Sequence, residues 1–190
     1  KKYQPTLDTI KGQDSAIQQL TTFLTTFDKQ KKKALFLWGP SGTGKTSSAS
    51  ALAKQYNLDL IEVNASDVRN KAQIQERLGN AIQQQSLFSE GKLILVDEID
   101  GLSGMKDRGA VPTIAKLIDK TTFPIIITAY NPYDQKLSTI RSRSILIEYA
   151  ALDYLATTDI LKDIAKQENI TYDEVAIKTL ARRSGGDARA

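Results

Sequence analysis

Residues suited to phosphate chemistry stand together in the stretch GPSGTGKT, at positions 39 to 46. They match the pattern G-x-x-x-x-G-K-[ST], and the stretch lies between a predicted strand and a predicted helix. In such a loop the backbone N–H groups face the phosphates, Lys45 reaches the β and γ phosphates, and the Thr46 hydroxyl ligates Mg²⁺. We therefore predict that ATP or ADP is bound by Gly39, Pro40, Ser41, Gly42, Thr43, Gly44, Lys45, Thr46 and Ser47. A glycine-rich turn that binds nothing is the alternative.

Two consecutive carboxylates end the apolar run KLILVDEID at positions 92 to 100. At the carboxyl edge of a parallel sheet, Asp97 would join Thr46 in the Mg²⁺ shell, and Glu98 would polarise an attacking water. This arrangement favours hydrolysis of the nucleotide over mere binding. The alternative is an acidic loop that only keeps the surface hydrated.

The composition excludes several kinds of chemistry. The 190 residues include no Cys and no His, which excludes disulfides, thiol chemistry, imidazole bases and ordinary zinc sites. Any metal is then a hard ion held by oxygen, such as Mg²⁺. The hydrophobic fraction of 41% and the lack of a long apolar run predict a soluble chain. The net charge of +4 is only a weak hint of nucleic acid.

Strands alternate with helices along the first three quarters of the chain. Apolar, β-branched runs predict strands at 34–38, 58–64, 92–97, 123–128 and 144–149, and apolar residues three and four apart predict helices at 45–55, 70–85 and 111–120. This alternation predicts an α/β fold, a five-stranded parallel sheet with helices on both faces, over residues 1–150.

Only helices are predicted after residue 150. The helices at 153–167 and 172–184 have Asp153 and Thr171 as expected N-caps and Gly185 as a C-terminal stop. We expect residues 151–190 to form a small helical lid domain. The chain begins without Met and ends at Ala190, so we expect a piece of a longer protein with an incomplete lid.

Four stretches together resemble a known family: GPSGTGKT, IEVNASDVR at 61–69, SLFSEGKLILVDEIDGLSGMKDRGAVP at 86–112, and SGGDARA at 184–190. They are similar to the clamp-loader ATPases of the AAA+ superfamily, most closely the large subunits of archaeal replication factor C. The resemblance implies an ATPase that opens a sliding clamp and loads it on primer–template DNA. It also implies a hetero-pentamer with replication factor C small subunits, and no contact with membranes.

The resemblance implies further site residues. Lys45, Thr46, Asp97 and Glu98 match the family's Walker A and B positions, and Arg189 matches an arginine that senses the γ-phosphate from the lid. Residues similar to those lining the family's adenine pocket are Tyr3, Pro5, Ile10 and Gln13.

Two positions depart from the family pattern or are ambiguous within it. Where the family has a water-orienting Asn at the end of the fourth strand, this chain has Tyr130, with Asn131 one residue later. Adjacent strand residues face opposite ways, so Asn131 can substitute only at a bulge or strand end. Arg143 is a candidate arginine finger for a neighbour's ATP, with a surface arginine as the alternative.

The remaining expectations concern contacts and activity. Arg69, Lys106 and Arg108 are candidates for contact with DNA phosphates. That they are ordinary scattered surface charges is an equally good interpretation. We expect this chain alone to be a monomer with weak or no ATPase activity, and the protein to be cytoplasmic and nucleoid-associated if archaeal, or nuclear if eukaryotic. An AAA+ helicase or branch-migration motor and a non-hydrolysing, nucleotide-gated interaction module remain as alternatives.

Overall fold

The computed structural model describes residues 5–65, 91–102 and 109–189, and within them five strands form one sheet. The strands are β1 (Ala34–Trp38), β2 (Leu58–Asn64), β3 (Gly91–Asp97), β4 (Ile125–Ala129) and β5 (Ser144–Glu148). Their order is β2-β3-β4-β1-β5, and each neighbouring pair is parallel. The predicted α/β fold is thus confirmed. β4 begins two residues later than predicted, because the Thr121 hydroxyl binds the backbone of Phe123 and closes a turn there.

Six α-helices lie in the described part of the chain: α1 (Asp14–Thr25), α2 (Lys45–Gln55), α3 (Ala110–Lys120), α4 (Ser138–Arg143), α5 (Tyr154–Gln167) and α6 (Glu174–Arg183). The bounds of α2 agree with the prediction, and α3 begins one residue earlier than predicted. The helix predicted at 70–85 lies outside the described residues. The sequence patterns did not identify α1 or the short α4.

Apolar side chains cover both faces of the sheet, as alternation along buried parallel strands requires. One cluster packs α3 and α4 on the sheet; its members include Phe36, Ile94, Val96, Ile127, Ile114, Ile118 and Ile140. The other packs α1 and α2 on the opposite face; its members include Leu35, Leu37, Leu93, Leu95, Ile126, Leu20 and Leu52. The predicted helices on both faces are therefore confirmed.

In residues 149–189, which follow β5, the regular elements are the two helices α5 and α6. Asp153 caps α5 by accepting a hydrogen bond of 2.6 Å from the Ala156 N–H, as predicted. The predicted Thr171 cap is wrong. Asp173 accepts from the Ala176 N–H at 2.9 Å, so α6 begins at Glu174, two residues later than predicted. The division into two domains near residue 150 stays a prediction.

The parallel arrangement brings the carboxyl ends of β1, β3 and β4 to one edge of the sheet. The loop before α2 follows β1, Asp97 ends β3, and Thr128 lies near the end of β4. Ligands of open parallel sheets bind at this edge. Among the described helices, none is long and apolar enough to span a bilayer.

Candidate nucleotide-binding site

The loop between β1 and α2 has a backbone path that needs glycine at its first position. Gly39 has φ +142°, and a Cβ there would lie 2.0 Å from the Tyr149 carbonyl oxygen. Its N–H donates to the Ala129 carbonyl at 3.3 Å, which ties the loop to β4. The loop is therefore seated between the ends of β4 and β5, with its far end opening α2.

The Lys45 side chain folds back over its own loop. Its ammonium donates to the carbonyls of Gly39 at 2.8 Å and Pro40 at 2.6 Å. Burial lowers the pKa of Lys45 below its ordinary value, and the nearby positive charge of Arg189 lowers that pKa further, against the opposing effect of Asp100, Asp97 and Asp187. The ammonium therefore lies in a partly desolvated place where an anionic ligand would be favoured.

Thr46 and Asp97 meet at the start of α2 and the end of β3. The Thr46 hydroxyl donates to the Asp97 carboxylate, 2.9 Å from Oδ1 and 3.2 Å from Oδ2. The Thr46 oxygen keeps its lone pairs, and the buried carboxylate keeps further acceptor sites, so this pair fits a hard cation such as Mg²⁺. No cluster of three or more potential metal ligands occurs in residues 5–65, 91–102 and 109–189. A cation here would draw its other ligands from phosphate and water, as Mg²⁺ commonly does.

Glu98 stands at a sharp turn of the backbone directly after Asp97. It has φ +54° and ψ +50°, in the left-handed region that residues with a side chain seldom adopt. Its N–H donates to the Thr128 hydroxyl at 2.9 Å, and its side chain is exposed in the cleft. This turn ends the strand and frees Glu98 from the alternation that would otherwise bury its carboxylate in the sheet.

The segment after α6 contacts the glycine-rich loop. The Ala188 N–H donates to the Gly42 carbonyl at 3.1 Å, and the Arg189 guanidinium donates to the Ser41 hydroxyl. A Cβ on Gly42 would lie 1.6 Å from Asp187 Oδ1, so glycine is required for this approach. Residues far apart in sequence are thus brought together at the tip of the loop.

These residues line a cleft of about 1500 Å³. The predicted site residues that line it are Pro5, Ile10, Gly39, Ser41, Gly42, Thr43, Gly44, Lys45, Thr46, Ser47, Asp97, Glu98 and Arg189. Pro40 lies in the loop without lining the cleft. Gln13 is buried beside it, where its side-chain amide donates to the Ala150 carbonyl at 2.8 Å. Tyr3, Arg69, Lys106 and Arg108 lie outside the described residues.

Asn131 does not line the cleft. β4 ends at Ala129, so the strand end that Asn131 would need is present. Its side-chain oxygen accepts from the Tyr133 N–H at 2.9 Å and is used in that turn. Tyr130 does line the cleft, with its N–H bound to Asp100 Oδ2 at 2.8 Å. A role of Asn131 in catalysis stays a prediction.

Arg143 lies at the opposite edge of the sheet. It ends α4 directly before β5, and its Nε donates to Asp119 at 2.9 Å. In a parallel sheet the start of β5 is a strand length away from the loop that follows β1. Arg143 therefore does not reach the cleft of its own chain. Its role as an arginine finger for a neighbour's ATP stays a prediction.

Several cleft residues were not predicted from the sequence. The Thr128 hydroxyl is hydrogen-bonded to both the Asp97 carboxylate and the Glu98 N–H. The Asp100 carboxylate accepts from the Tyr130 N–H. The helical segment adds an apolar lining of Leu152, Ile160 and Ile164. A threonine in a β-rich run carries no signal of its own, because threonine is ordinary in strands.

A model of the family "ATPase family associated with various cellular activities (AAA)" matches residues 35–149 of this chain. The replication factor C large subunit of Nanoarchaeum equitans is 44% identical over 191 residues, covering 100% of this chain and 44% of that protein. The one of Staphylothermus marinus is 41% identical over 192 residues, covering 100% of this chain and 45% of that protein. The chain thus spans less than half the length of these curated relatives.

Solved structures with a similar fold include the Thermotoga maritima RuvB Holliday junction branch migration motor. It superposes with a TM-score of 0.73 at 21% identity, covering 100% of this chain and 62% of that chain. A single-residue variant of the same motor gives a TM-score of 0.76 at 22% identity. At this identity the likeness concerns the fold alone.

Proposed function

This chain belongs to the AAA family of ATPases, and on that premise we propose that it is the ATP-binding and ATP-hydrolysing part of a clamp-loader large subunit. In this proposal the subunit acts with small subunits to open a sliding clamp and place it on primer–template DNA. The observation that carries the proposal is the 44% identity with a replication factor C large subunit over the whole chain. Because these relatives are archaeal, we expect the protein to work in the cytoplasm near the nucleoid.

The nucleotide is held mainly by its phosphates. The loop at 39–46 supplies backbone N–H groups, and the Lys45 ammonium supplies the positive charge that the β and γ phosphates need. Thr46 and Asp97 would hold Mg²⁺, which supplies charge neutralisation on the phosphates when it is bound. Pro5 and Ile10 line the same cleft and are the described candidates for contact with adenine.

Glu98 is the proposed general base for hydrolysis. Its exposed carboxylate at the end of β3 would accept a proton from the water that attacks the γ-phosphorus. The water oxygen bonds to that phosphorus as the bond to the β–γ bridging oxygen breaks, leaving ADP and phosphate. Asp97 stays beside Thr46, so the two adjacent carboxylates have different tasks.

The helical segment is the proposed sensor of the nucleotide. We assign residues 1–150 to an ATP-binding domain and 151–190 to part of a lid domain. Arg189 already lies at the tip of the loop through Ser41. A γ-phosphate in the cleft would give its guanidinium a charged partner, which ADP lacks, so closure of the lid would depend on the nucleotide.

Arg143 and Asn131 have more distant proposed roles. Arg143 would serve as a finger for a neighbouring subunit's ATP after leaving Asp119. Asn131 would have to give up its bond to the Tyr133 N–H before it could orient water. Since Tyr130 and not Asn131 lines the cleft, water positioning in this chain depends more on Glu98.

The experiment that tests the proposal joins the full-length subunit, its small subunits and the sliding clamp. ATP turnover should increase when clamp and primed DNA are both added, and clamp should co-purify with the complex in ATP but less so in ADP. Turnover that rises with branched DNA and ignores the clamp would instead favour a branch-migration motor. ATP-dependent clamp binding without turnover would favour the non-hydrolysing module.

A further inference from the structure

The hydroxyl group of Thr128 contacts both consecutive carboxylate residues of the site. Thr128 lies in β4, next to β3, and is 1% exposed. Its oxygen accepts a hydrogen bond of 2.9 Å from the Glu98 N–H, and it also contacts Asp97 Oδ1 at hydrogen-bond distance. One side chain therefore touches the residue proposed to hold the cation and the residue proposed to activate water.

The directions of these two bonds are fixed by their partners. A backbone N–H can only donate, so the Thr128 oxygen accepts from Glu98. The ionised carboxylate of Asp97 can only accept, so the single hydroxyl proton of Thr128 points to Asp97. Since Thr46 donates to the same carboxylate at 2.9 Å, Asp97 is held between two hydroxyls, one from α2 and one from β4.

The bond to the Glu98 N–H supports an unfavourable backbone conformation. A left-handed residue with a side chain is disfavoured by about 1 kcal/mol or more, and persists only where its surroundings hold it. Here the Thr128 hydroxyl gives the Glu98 N–H a buried partner at that turn. Without it the strand could continue past Asp97, and the direction of the Glu98 side chain would change.

We propose that Thr128 is a positioning residue whose hydroxyl sets the orientation of Asp97 and Glu98 together. Its proton fixes the carboxylate beside the cation site, and its oxygen fixes the backbone turn that presents Glu98 to the cleft. This inference deepens the proposed function and rests on it for the roles of the two carboxylates. The double contact itself does not depend on those roles.

Two matched pairs of variants isolate the hydroxyl. Wild type and Thr128→Val differ by a hydroxyl against a methyl, and Thr128→Ser and Thr128→Ala differ by a hydroxyl against a hydrogen. The first measurement is the ratio of ADP dissociation constants in EDTA and in excess Mg²⁺, by calorimetry. The second is the exchange rate of the Glu98 amide without nucleotide. The third is ATP turnover in the full-length complex, at conditions where thermal unfolding shows each variant to be folded.

Within each pair, the ratio of the ADP dissociation constant in EDTA to that in excess Mg²⁺ should be about tenfold smaller in the member without the hydroxyl. Its Glu98 amide should exchange about tenfold faster, because the buried partner is gone. Turnover should fall by about tenfold or more with little change in the KM for ATP. The serine variant should keep most of the wild-type values.

Equal Mg²⁺ effects and equal Glu98 exchange within a pair would overturn the inference, even if thermal stability fell. If Thr128→Val does not fold, the serine and alanine pair decides. If the wild-type chain binds no nucleotide, the proposed function fails, and the amide exchange alone decides whether Thr128 holds the turn.

Discussion

The two walls of the cleft are held in place by different means. The sheet wall consists of the loop at 39–46 and the ends of β3 and β4, where Asp97 and Thr128 are buried and the strands are paired in register. The opposite wall, here called the helical wall, belongs to the segment after β5 and includes Leu152, Ile160 and Ile164. It reaches the loop tip through Asp187, Ala188 and Arg189, and the Arg189 side chain is 62% exposed. Strand pairing holds the first, whereas the second contacts the loop through the Ala188–Gly42 and Arg189–Ser41 hydrogen bonds.

This difference separates two kinds of task. Groups that do chemistry need fixed geometry, which a parallel sheet with covered faces provides. A group that reports the state of the nucleotide must be able to move when one phosphate is lost, and local contacts of small energy allow this. Changes in the sheet wall should therefore affect turnover and binding strongly, and changes in the helical wall should affect discrimination between nucleotides.

The largest effect is expected for Glu98→Gln. Loss of the carboxylate that is proposed to accept the proton should lower turnover about a hundredfold or more, with nucleotide affinity retained, because the amide keeps the shape. Turnover is measured by phosphate release in the full-length complex. Glu62→Gln is the matched control, since Glu62 lines the same cleft from β2. Equal losses in both variants would mean that Glu98 has no special role.

Lys45→Ala should weaken ATP binding by about 1.5–3 kcal/mol, or about 10- to 150-fold, through loss of a charge-assisted contact to phosphate. Calorimetry on this chain measures the change. Lys54→Ala, at an exposed position of α2 that lines the same cleft, removes the same charge and should have much less effect. An unchanged affinity in Lys45→Ala would argue against the sheet wall as the phosphate site.

Gly42→Ala tests the contact between the walls. Its control is Gly185→Ala, because Gly185 has a similar φ of +60° but no atom within 4 Å of an added Cβ. Both changes carry the backbone strain, about 1 kcal/mol, but only Gly42→Ala also pushes Asp187 away. The free energy of unfolding should fall by about 1 kcal/mol more in Gly42→Ala, through loss of the Ala188 hydrogen bond. Faster exchange of the Ala188 amide in that variant alone would support the contact, and equal losses of stability would contradict it.

The smallest effect is expected for Arg189→Ala in the full-length subunit. It should weaken ATP more than ADP by about 1 kcal/mol, because only ATP offers a γ-phosphate. Arg183→Ala, which removes the same charge at the exposed end of α6, should not discriminate between the nucleotides. Equal weakening of ATP and ADP would make Arg189 an ordinary surface charge.

The same variant should raise the pKa of Lys45, since the charge of Arg189 lowers it in the native protein. The Lys45 ammonium would then stay protonated to higher pH in Arg189→Ala than in wild type. An NMR titration of the lysine side chains without nucleotide measures this. A Lys45 pKa that does not move would mean that the guanidinium spends little time near the loop.

The sequence predicted the sheet wall better than the helical wall for a physical reason. The bounds of α2 and the positions of Asp97 and Glu98 follow from local patterns, because a glycine-rich turn and an apolar run determine them within a few residues. The contact of Gly42 with Asp187 joins residues far apart in the chain, and no local pattern encodes it. Thr128 was missed for a related reason, since its contacts depend on the register of β4 beside β3.

The errors in the helical segment also have local causes. Thr171 and Asp173 are both acceptable N-caps, and the sequence alone does not rank them. In the structure the carboxylate of Asp173 takes the Ala176 N–H, so the helix starts there. α1 was missed because five of its 12 residues are glutamine or threonine, and only Ala16, Leu20 and Phe23 are buried.

The folded-back Lys45 makes nucleotide binding an exchange reaction. Its ammonium bonds to the Gly39 and Pro40 carbonyls, which act as an internal ligand that an entering molecule has to displace. Charged phosphate oxygens can outcompete two neutral carbonyls, because the negative charge of the phosphate adds Coulomb attraction to the hydrogen bond from the ammonium. An uncharged nucleoside has only neutral acceptors, which bind the ammonium no more strongly than the Gly39 and Pro40 carbonyls do. In the proposed site, the loop would therefore discriminate against unphosphorylated competitors before any contact with the base is made, because the ammonium already has hydrogen-bond partners.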